Sequence, residues 1–274
     1  MTLNIDGSLL LAGAGNMGGA LLAGWLERGL KPERVLIQDP APPPATQALL
    51  DRCGIAASAS LPPLPTPPAV IVVAVKPQVM DEVFPALARH AGQATVVLSI
   101  AAGRTLAGFE RHLNDHAAVV RAMPNTPAAI ARGITVAVPN AHVTAAQRHL
   151  CQALLAAVGE VEWVSNEGLL DPVTAVSGSG PAYVFYLVEC LAAAGVEAGL
   201  PPELAMKLAR HTVSGAGELV NRSGIAAATL RESVTSPNGT THAALEVLMA
   251  GDGLAQLMAK AVAAASRRSR ELAK

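Results

Sequence analysis

Cysteine is scarce: three residues, Cys53, Cys151 and Cys190, odd in number and widely spaced. That usage fits free thiols in a reducing compartment and excludes a disulfide scaffold. Aromatic residues make up only 3% of a chain that is 51% hydrophobic, so its cores must be built from Ala, Leu and Val. Excess charge is missing too. A net charge of −1 argues for neither a nucleic acid nor an anionic membrane as partner. No basic segment followed by an apolar one opens the sequence, and no apolar run approaches the length of a membrane span. The expectation is a cytoplasmic protein. Internal repeats, a C-x-x-C pair and a Ser-His-Asp signature are all missing. His112 and His116 have the spacing of a metal pair but no third ligand motif nearby, so no metal site is expected. The basic run at Arg267, Arg268 and Arg270 suits the negative end of a C-terminal helix.

What is present begins with Leu9-Leu10-Leu11-Ala12-Gly13-Ala14-Gly15-Asn16-Met17-Gly18. An apolar strand runs into G-x-G-x-x-G, and an amphipathic helix follows. Gly13 permits a tight turn, Gly15 admits a pyrophosphate to the backbone, and Gly18 lets the helix pack on the strand. The helix N-terminus then offers free N–H groups to phosphate. Asp39 closes the next strand-like run, Arg34 to Gln38.

Strand and helix alternate from there. Apolar strands are expected at 69–75, 94–100, 117–123 and 134–138, with helices at 46–53, 79–90 (Pro85 kinking or breaking it) and 144–158. The proline-rich stretch 61–68 reads as an irregular surface connection. Beyond Val164 the strands stop, and Ala/Leu-rich helical runs appear at 181–199, 202–222 and 253–272. The expected architecture is α/β: a doubly wound Rossmann domain over 1–164, then an all-helical domain over 165–274.

Strand-end loops of an open parallel sheet line the ligand crevice. Those here are Ala74-Val75-Lys76-Pro77, Ser99 to Gly103, and Met123-Pro124-Asn125-Thr126-Pro127. Lys76 reads equally well as a neighbour of the cofactor and as a solvated strand end. In the second half, Ser177 to Tyr183 carries two glycines before a helix start, with Pro181 suited to the first turn. Ser236-Pro237-Asn238-Gly239-Thr240-Thr241 fits a turn with Asn238 at positive φ. It leaves the N–H groups of Gly239, Thr240 and Thr241 free at a helix start, a carboxylate site or an ordinary capped turn.

Taken together, these segments resemble the pyrroline-5-carboxylate reductase family over nearly the whole chain. The last two, Ser177 to Tyr183 and Val234 to Thr241, are the specific ones. The resemblance implies reduction of 1-pyrroline-5-carboxylate to proline by hydride transfer from NADPH or NADH. It implies a helical domain that dimerises, often within a larger ring. Ser236, Gly239 and Thr240 would hold the substrate carboxylate, and the hydroxyl of Thr241 would face the ring nitrogen. Gly13, Gly15, Asn16, Met17, Gly18, Asp39, Ala74, Val75, Lys76, Pro77 and Asn125 would line the cofactor. Asn238 stands where relatives usually have a glycine, a substitution that positive φ tolerates.

Two rivals remain open. A β-hydroxyacid dehydrogenase would carry a catalytic lysine on the first long helix of its second domain, and no lysine occurs between Ser177 and Leu200. A non-catalytic nucleotide-sensing module would explain Gly13 to Gly18 but not Ser236 to Thr241. Asp39 departs from the small or polar residue common in the family. Its carboxylate suits a free ribose hydroxyl and repels a 2′-phosphate. The alternative turns Asp39 to solvent and lets Arg34 or Arg52 meet the phosphate. NADH is expected to serve at least as well as NADPH.

Overall fold

Residues 3–273 are described by a computed structural model. Strands β1 (Leu9–Ala12), β2 (Val35–Gln38), β3 (Ala57–Ser58), β4 (Val70–Val73), β5 (Val96–Ser99), β6 (Ala118–Met123), β7 (Gly133–Pro139) and β8 (Gly159–Trp163) form one sheet in the order 3-2-1-4-5-6-7-8. The first six pair in parallel, in the Rossmann order that reverses direction between β1 and β4. Their connections carry α1 (Asn16–Glu27), α2 (Pro44–Cys53), α3 (Met80–Ala88) and α4 (Leu106–Glu110), and α5 (Ala145–Leu155) links β7 to β8.

The apolar strands do not alternate because both faces are covered. Leu9, Leu11, Val70 and Val72 enter one core with Leu21, Leu22 and Trp25 of α1. Their neighbours Leu10, Ile71 and Val73 enter a second core, with Phe84 and Leu87 of α3 and Phe109 of α4. Successive strand residues point to opposite faces, so a strand buried on both must be apolar throughout. Trp25 brings a polar atom into this core, and its indole N–H donates to the Leu154 carbonyl at 2.8 Å.

Several local expectations change. β7 runs antiparallel to β6, because Pro124–Arg132 is too short for a right-handed crossover and folds instead around a 3₁₀ turn, Thr126–Ile130. β8 was not expected at all. Ala156-Ala157-Val158 continue an apolar helical pattern, yet the helix ends in a 3₁₀ turn there, and Gly159 at φ 149° redirects the chain into the strand. Pro85 neither breaks nor ends α3, which runs through it with Phe84 and Leu87 buried on either side. The His112–His116 spacing is not helical, since α4 ends at Glu110. His112 packs on Phe84, while His116 lies in a turn at φ 68° against His142.

After β8 come α6 (Leu170–Val173), a π turn at Thr174–Gly178, α7 (Gly180–Glu197), α8 (Pro202–Ser223), α9 (Ala227–Ser233), α10 (Thr240–Leu248) and α11 (Leu254–Leu272). The break expected at Ser177–Gly180 takes the form of a π turn followed by a bend at Ser179, the cap of α7, within one longer helical run, with Pro181 in the first turn of α7. That run, Glu167–Glu197, is long and apolar enough to meet the length and composition of a membrane span, at a mean hydropathy of 1.3. This corrects the expectation that no stretch would.

Compact packing divides the chain into a unit ending at Gly178, joined by the segment from Ala265, and a unit of Ser179–Ala264. The change of sequence pattern at Ser165 lies earlier, because residues 167–178 are helical yet pack with the sheet. Leu170 is buried with Val136 and Val138. The Arg121 guanidinium, buried on β6, meets Glu167 at 2.8 Å, and the same Glu167 oxygen accepts the Leu106 N–H at 2.8 Å. Removing one partner of such a pair strands the other charge. Glu167→Ala is expected to cost about 2 kcal/mol, below the fully buried range because Glu167 keeps some solvent contact. Thermal unfolding should show a Tm lowered by about 4–8 °C.

Candidate active site

The β1–α1 turn is built by close approach. Gly13 has φ 88°, and a Cβ there would lie 2.7 Å from the backbone of Ala74. A Cβ on Gly18 would lie 2.1 Å from the Gly13 carbonyl oxygen. Both positions therefore demand glycine. Gly15 differs: at φ −67° it is unstrained, and a Cβ would meet nothing within 4 Å. The space beside it lies at the N-terminus of α1, where the N–H groups of Asn16, Met17 and Gly18 have no partner within the helix. No acidic side chain occupies that first turn. Open volume, free donors and the positive helix end together fit the diphosphate of a dinucleotide.

The other strand ends flank this turn. Asp39 follows β2, and its Oδ2 accepts the Ala14 N–H at 2.6 Å while Oδ1 accepts the Ala41 N–H at 2.8 Å. Ala74 to Pro77 follow β4. The Ala74 N–H donates to the Ala12 carbonyl at 2.7 Å, which carries the β1–β4 ladder one step beyond the strands. Lys76 is exposed. Asn125 follows β6, and its Oδ1 accepts the Ile134 N–H at 2.9 Å, closing the β6–β7 connection. Gly178 packs on the same loop, since a Cβ there would lie 2.7 Å from Cε of Met123.

Arg104 was missed by sequence reasoning. Its guanidinium donates to the Pro77 carbonyl at 2.7 Å and to Asp81 Oδ2 at 3.0 Å, bracing the turn after β4. The only signal was its place directly after the glycine that ends the Ser99–Gly103 loop. Cys151 is fully buried, which pushes its thiol up to about 12 and removes it as a nucleophile.

The second unit carries Ser236 to Thr241. Gly239 N–H donates to the Ser236 carbonyl at 3.0 Å across a four-residue turn with Pro237 second and Asn238 third, at φ 59°. These are the features of a type II turn. The expectation that Gly239 would offer a free N–H is thereby corrected, because the turn consumes it. Gly239 caps α10, and the N–H groups of Thr240 and Thr241 in the first turn remain without a helical partner. The Ser236–Thr241 turn is largely solvent-accessible in the single chain.

Sheet order, glycine turn and strand-end loops define the class: a Rossmann-fold, dinucleotide-dependent oxidoreductase with a helical C-terminal domain. Comparison with known proteins narrows this. The family model described as pyrroline-5-carboxylate reductase dimerisation matches residues 167–272, and that of NADP oxidoreductase, coenzyme F420-dependent, matches residues 9–103. The chain is 40% identical over 261 residues to the pyrroline-5-carboxylate reductase of Pseudomonas aeruginosa, covering 95% of each. It is 38% identical over 237 residues to that of Escherichia coli, covering 86% of this chain and 87% of the relative. Among solved structures, the reductase of Coxiella burnetii superposes with a TM-score of 0.89 at 33% identity, over 98% of this chain and all (100%) of the other. The Plasmodium falciparum enzyme, solved with NADP bound, superposes with a TM-score of 0.81 at 26% identity, over 100% of both chains. The chain belongs to the pyrroline-5-carboxylate reductase family.

The open space at Gly15 yields a test that separates binding from folding. Gly15→Ala should leave Tm unchanged, because the new Cβ touches no protein atom. It should weaken dinucleotide binding about tenfold or more, because the methyl group occupies the approach of the pyrophosphate. Calorimetric titration beside a thermal melt measures both.

Proposed function

We propose that this chain reduces 1-pyrroline-5-carboxylate to L-proline with hydride from NAD(P)H, the activity that names its family. The observation that carries the reading is the Ser236–Thr241 turn. In one short segment it joins a positive-φ residue, a helix N-terminus with free N–H groups and two threonine hydroxyls. Held by Gly13 to Gly18 and the strand ends, the dinucleotide would supply the hydride that reduces the C=N bond of the imine to a secondary amine. A protonated imine is already electrophilic, so the protein's task is positioning more than acid catalysis.

The residues divide that task. Gly13, Gly15, Asn16, Met17 and Gly18 receive the pyrophosphate, while Ala74 to Pro77 and Asn125 lie at the strand ends that flank it. Ser236 and the N–H groups of Thr240 and Thr241 receive the substrate carboxylate. Gly239 contributes by holding the turn and by lacking a side chain, since a Cβ there would stand 3.1 Å from the Ser236 carbonyl oxygen. The Thr241 hydroxyl faces the ring nitrogen.

Self-association follows from the second unit's surface. Phe185 is 61% exposed, Tyr186 66% and Val247 73%, with Leu187 and Leu191 exposed alongside on α7. A helical unit that leaves such residues in water needs a partner. The family match over 167–272, described by its dimerisation, supports a second copy as that partner. A dimer or a larger ring built on dimers is the assembly expected, and an active monomer in light scattering would refute it. The three cysteines are all free, in keeping with a cytoplasmic setting.

Thr241→Val tests the catalytic assignment by keeping the shape and removing the hydroxyl. A hydrogen bond to a charged group is worth about 1.5–3 kcal/mol, so kcat/KM for the imine should fall about tenfold to a hundredfold. Dinucleotide affinity should not change. Wild-type kinetics in this variant would exclude the role given to the hydroxyl.

A further inference from the structure

The end of β2 is unusual in what surrounds it. From Val35 through Asp51 and from Cys53 through Val75 the chain contains no lysine, arginine or histidine. The cations nearest in sequence lie elsewhere in the fold. Arg34 precedes β2, at the end of the strand opposite Asp39, and its guanidinium donates to the Gly7 carbonyl at 3.3 Å, ahead of β1. Arg52 sits in the last turn of α2, the far end of the helix whose first turn follows Asp39. Lys76 lies three residues beyond β4, and β1 stands between β4 and β2, whose backbones are about 10 Å apart at the usual strand spacing. The Pro40 to Pro44 segment offers no side-chain donor.

Asp39 itself is not free to turn aside. Each carboxylate oxygen accepts a backbone N–H, one from Ala14 in the glycine turn and one from Ala41. Rotating the carboxylate into solvent would forfeit two charge-assisted hydrogen bonds and release the turn it braces. A carboxylate has about four acceptor positions, so two remain after these bonds. A ribose hydroxyl can donate to one of them. A 2′-phosphate can donate nothing at neutral pH, and it would bring its negative charge to a fixed anion.

We infer that Asp39 makes this chain select the dinucleotide with a free 2′-hydroxyl, NADH over NADPH. The inference rests on the dinucleotide reading of the glycine turn. Calorimetric titration of the full-length protein with NAD⁺ and NADP⁺, without substrate, tests it apart from catalysis. Wild type should bind NAD⁺ about tenfold or more tighter than NADP⁺, and Asp39→Ser should move that ratio toward NADP⁺ by about tenfold or more. If Asp39→Ser loses its fold with the Ala14 bond, Asp39→Asn keeps an acceptor for that N–H, removes the charge, and should move the ratio the same way. Tighter binding of NADP⁺ by wild type, or an unchanged ratio in a folded variant, overturns the selectivity and leaves the dinucleotide site standing. Binding of neither dinucleotide by a folded protein overturns the site and the selectivity together.

Discussion

The contact on which the N-terminal unit depends is the near-collision of three backbones at the end of β1. Gly13 lies against Ala74, and Gly18 lies against Gly13, at distances that leave no room for a Cβ on either glycine. That approach brings α1 down on the sheet at the point where the strand order reverses. It aims the first N–H groups of α1 into the space above Gly15. The ladder continues past the strands, with Gly13 N–H bonded to the Gln38 carbonyl and Ala74 N–H to the Ala12 carbonyl. The glycine turn is therefore held from both neighbouring strands before any ligand arrives, which lowers the ordering cost of binding.

The two units have opposite economies of surface. In the first, strands buried on both faces and the helices over them form dense cores, and even the Trp25 indole N–H is satisfied. In the second, α7 and α8 pack on each other, yet few of their side chains are buried within the single chain, Ala192, Ala205 and Ala209 among them. Small residues at those positions let the two helices approach closely. The larger apolar side chains are left exposed in the single chain. This accounts for a helical run as apolar as a membrane span in a family whose matching region is described by its dimerisation.

Much of this was legible in the sequence because its causes are local. Continuous apolar runs announced parallel strands covered on both faces, and the spacing of Gly13, Gly15 and Gly18 announced the turn. Pro237 followed by Asn238 announced positive φ before α10. What escaped had causes that residue type alone does not announce. The Gly239 N–H was lost to a bond across its own turn, and since many such turns lack that bond the residues do not announce it. β8 was hidden because Ala156 to Val158 are as apolar as the helix before them, and only the 3₁₀ turn and Gly159 end it. Pro85 does not end α3, because the burial of Phe84 and Leu87 on either side favours the helix against proline's local cost.

The sequence alone determined the class of most segments and the chemical inventory: a glycine turn, a carboxylate after the second strand with no cation in the Pro40 to Pro44 segment that follows it, and a serine- and threonine-bearing turn at a helix start. Hydrophobic period and backbone freedom act over a few residues, so they can be read without coordinates. The tertiary structure decided which of these groups were already engaged. It joined Asp39 to Ala14, set Arg104 against the Pro77 carbonyl, and bound residues 165–178 to the sheet through Arg121 and Glu167. Hydrogen bonds and ion pairs between residues far apart in the chain depend on distances of a few tenths of an ångström, and only the folded backbone sets those.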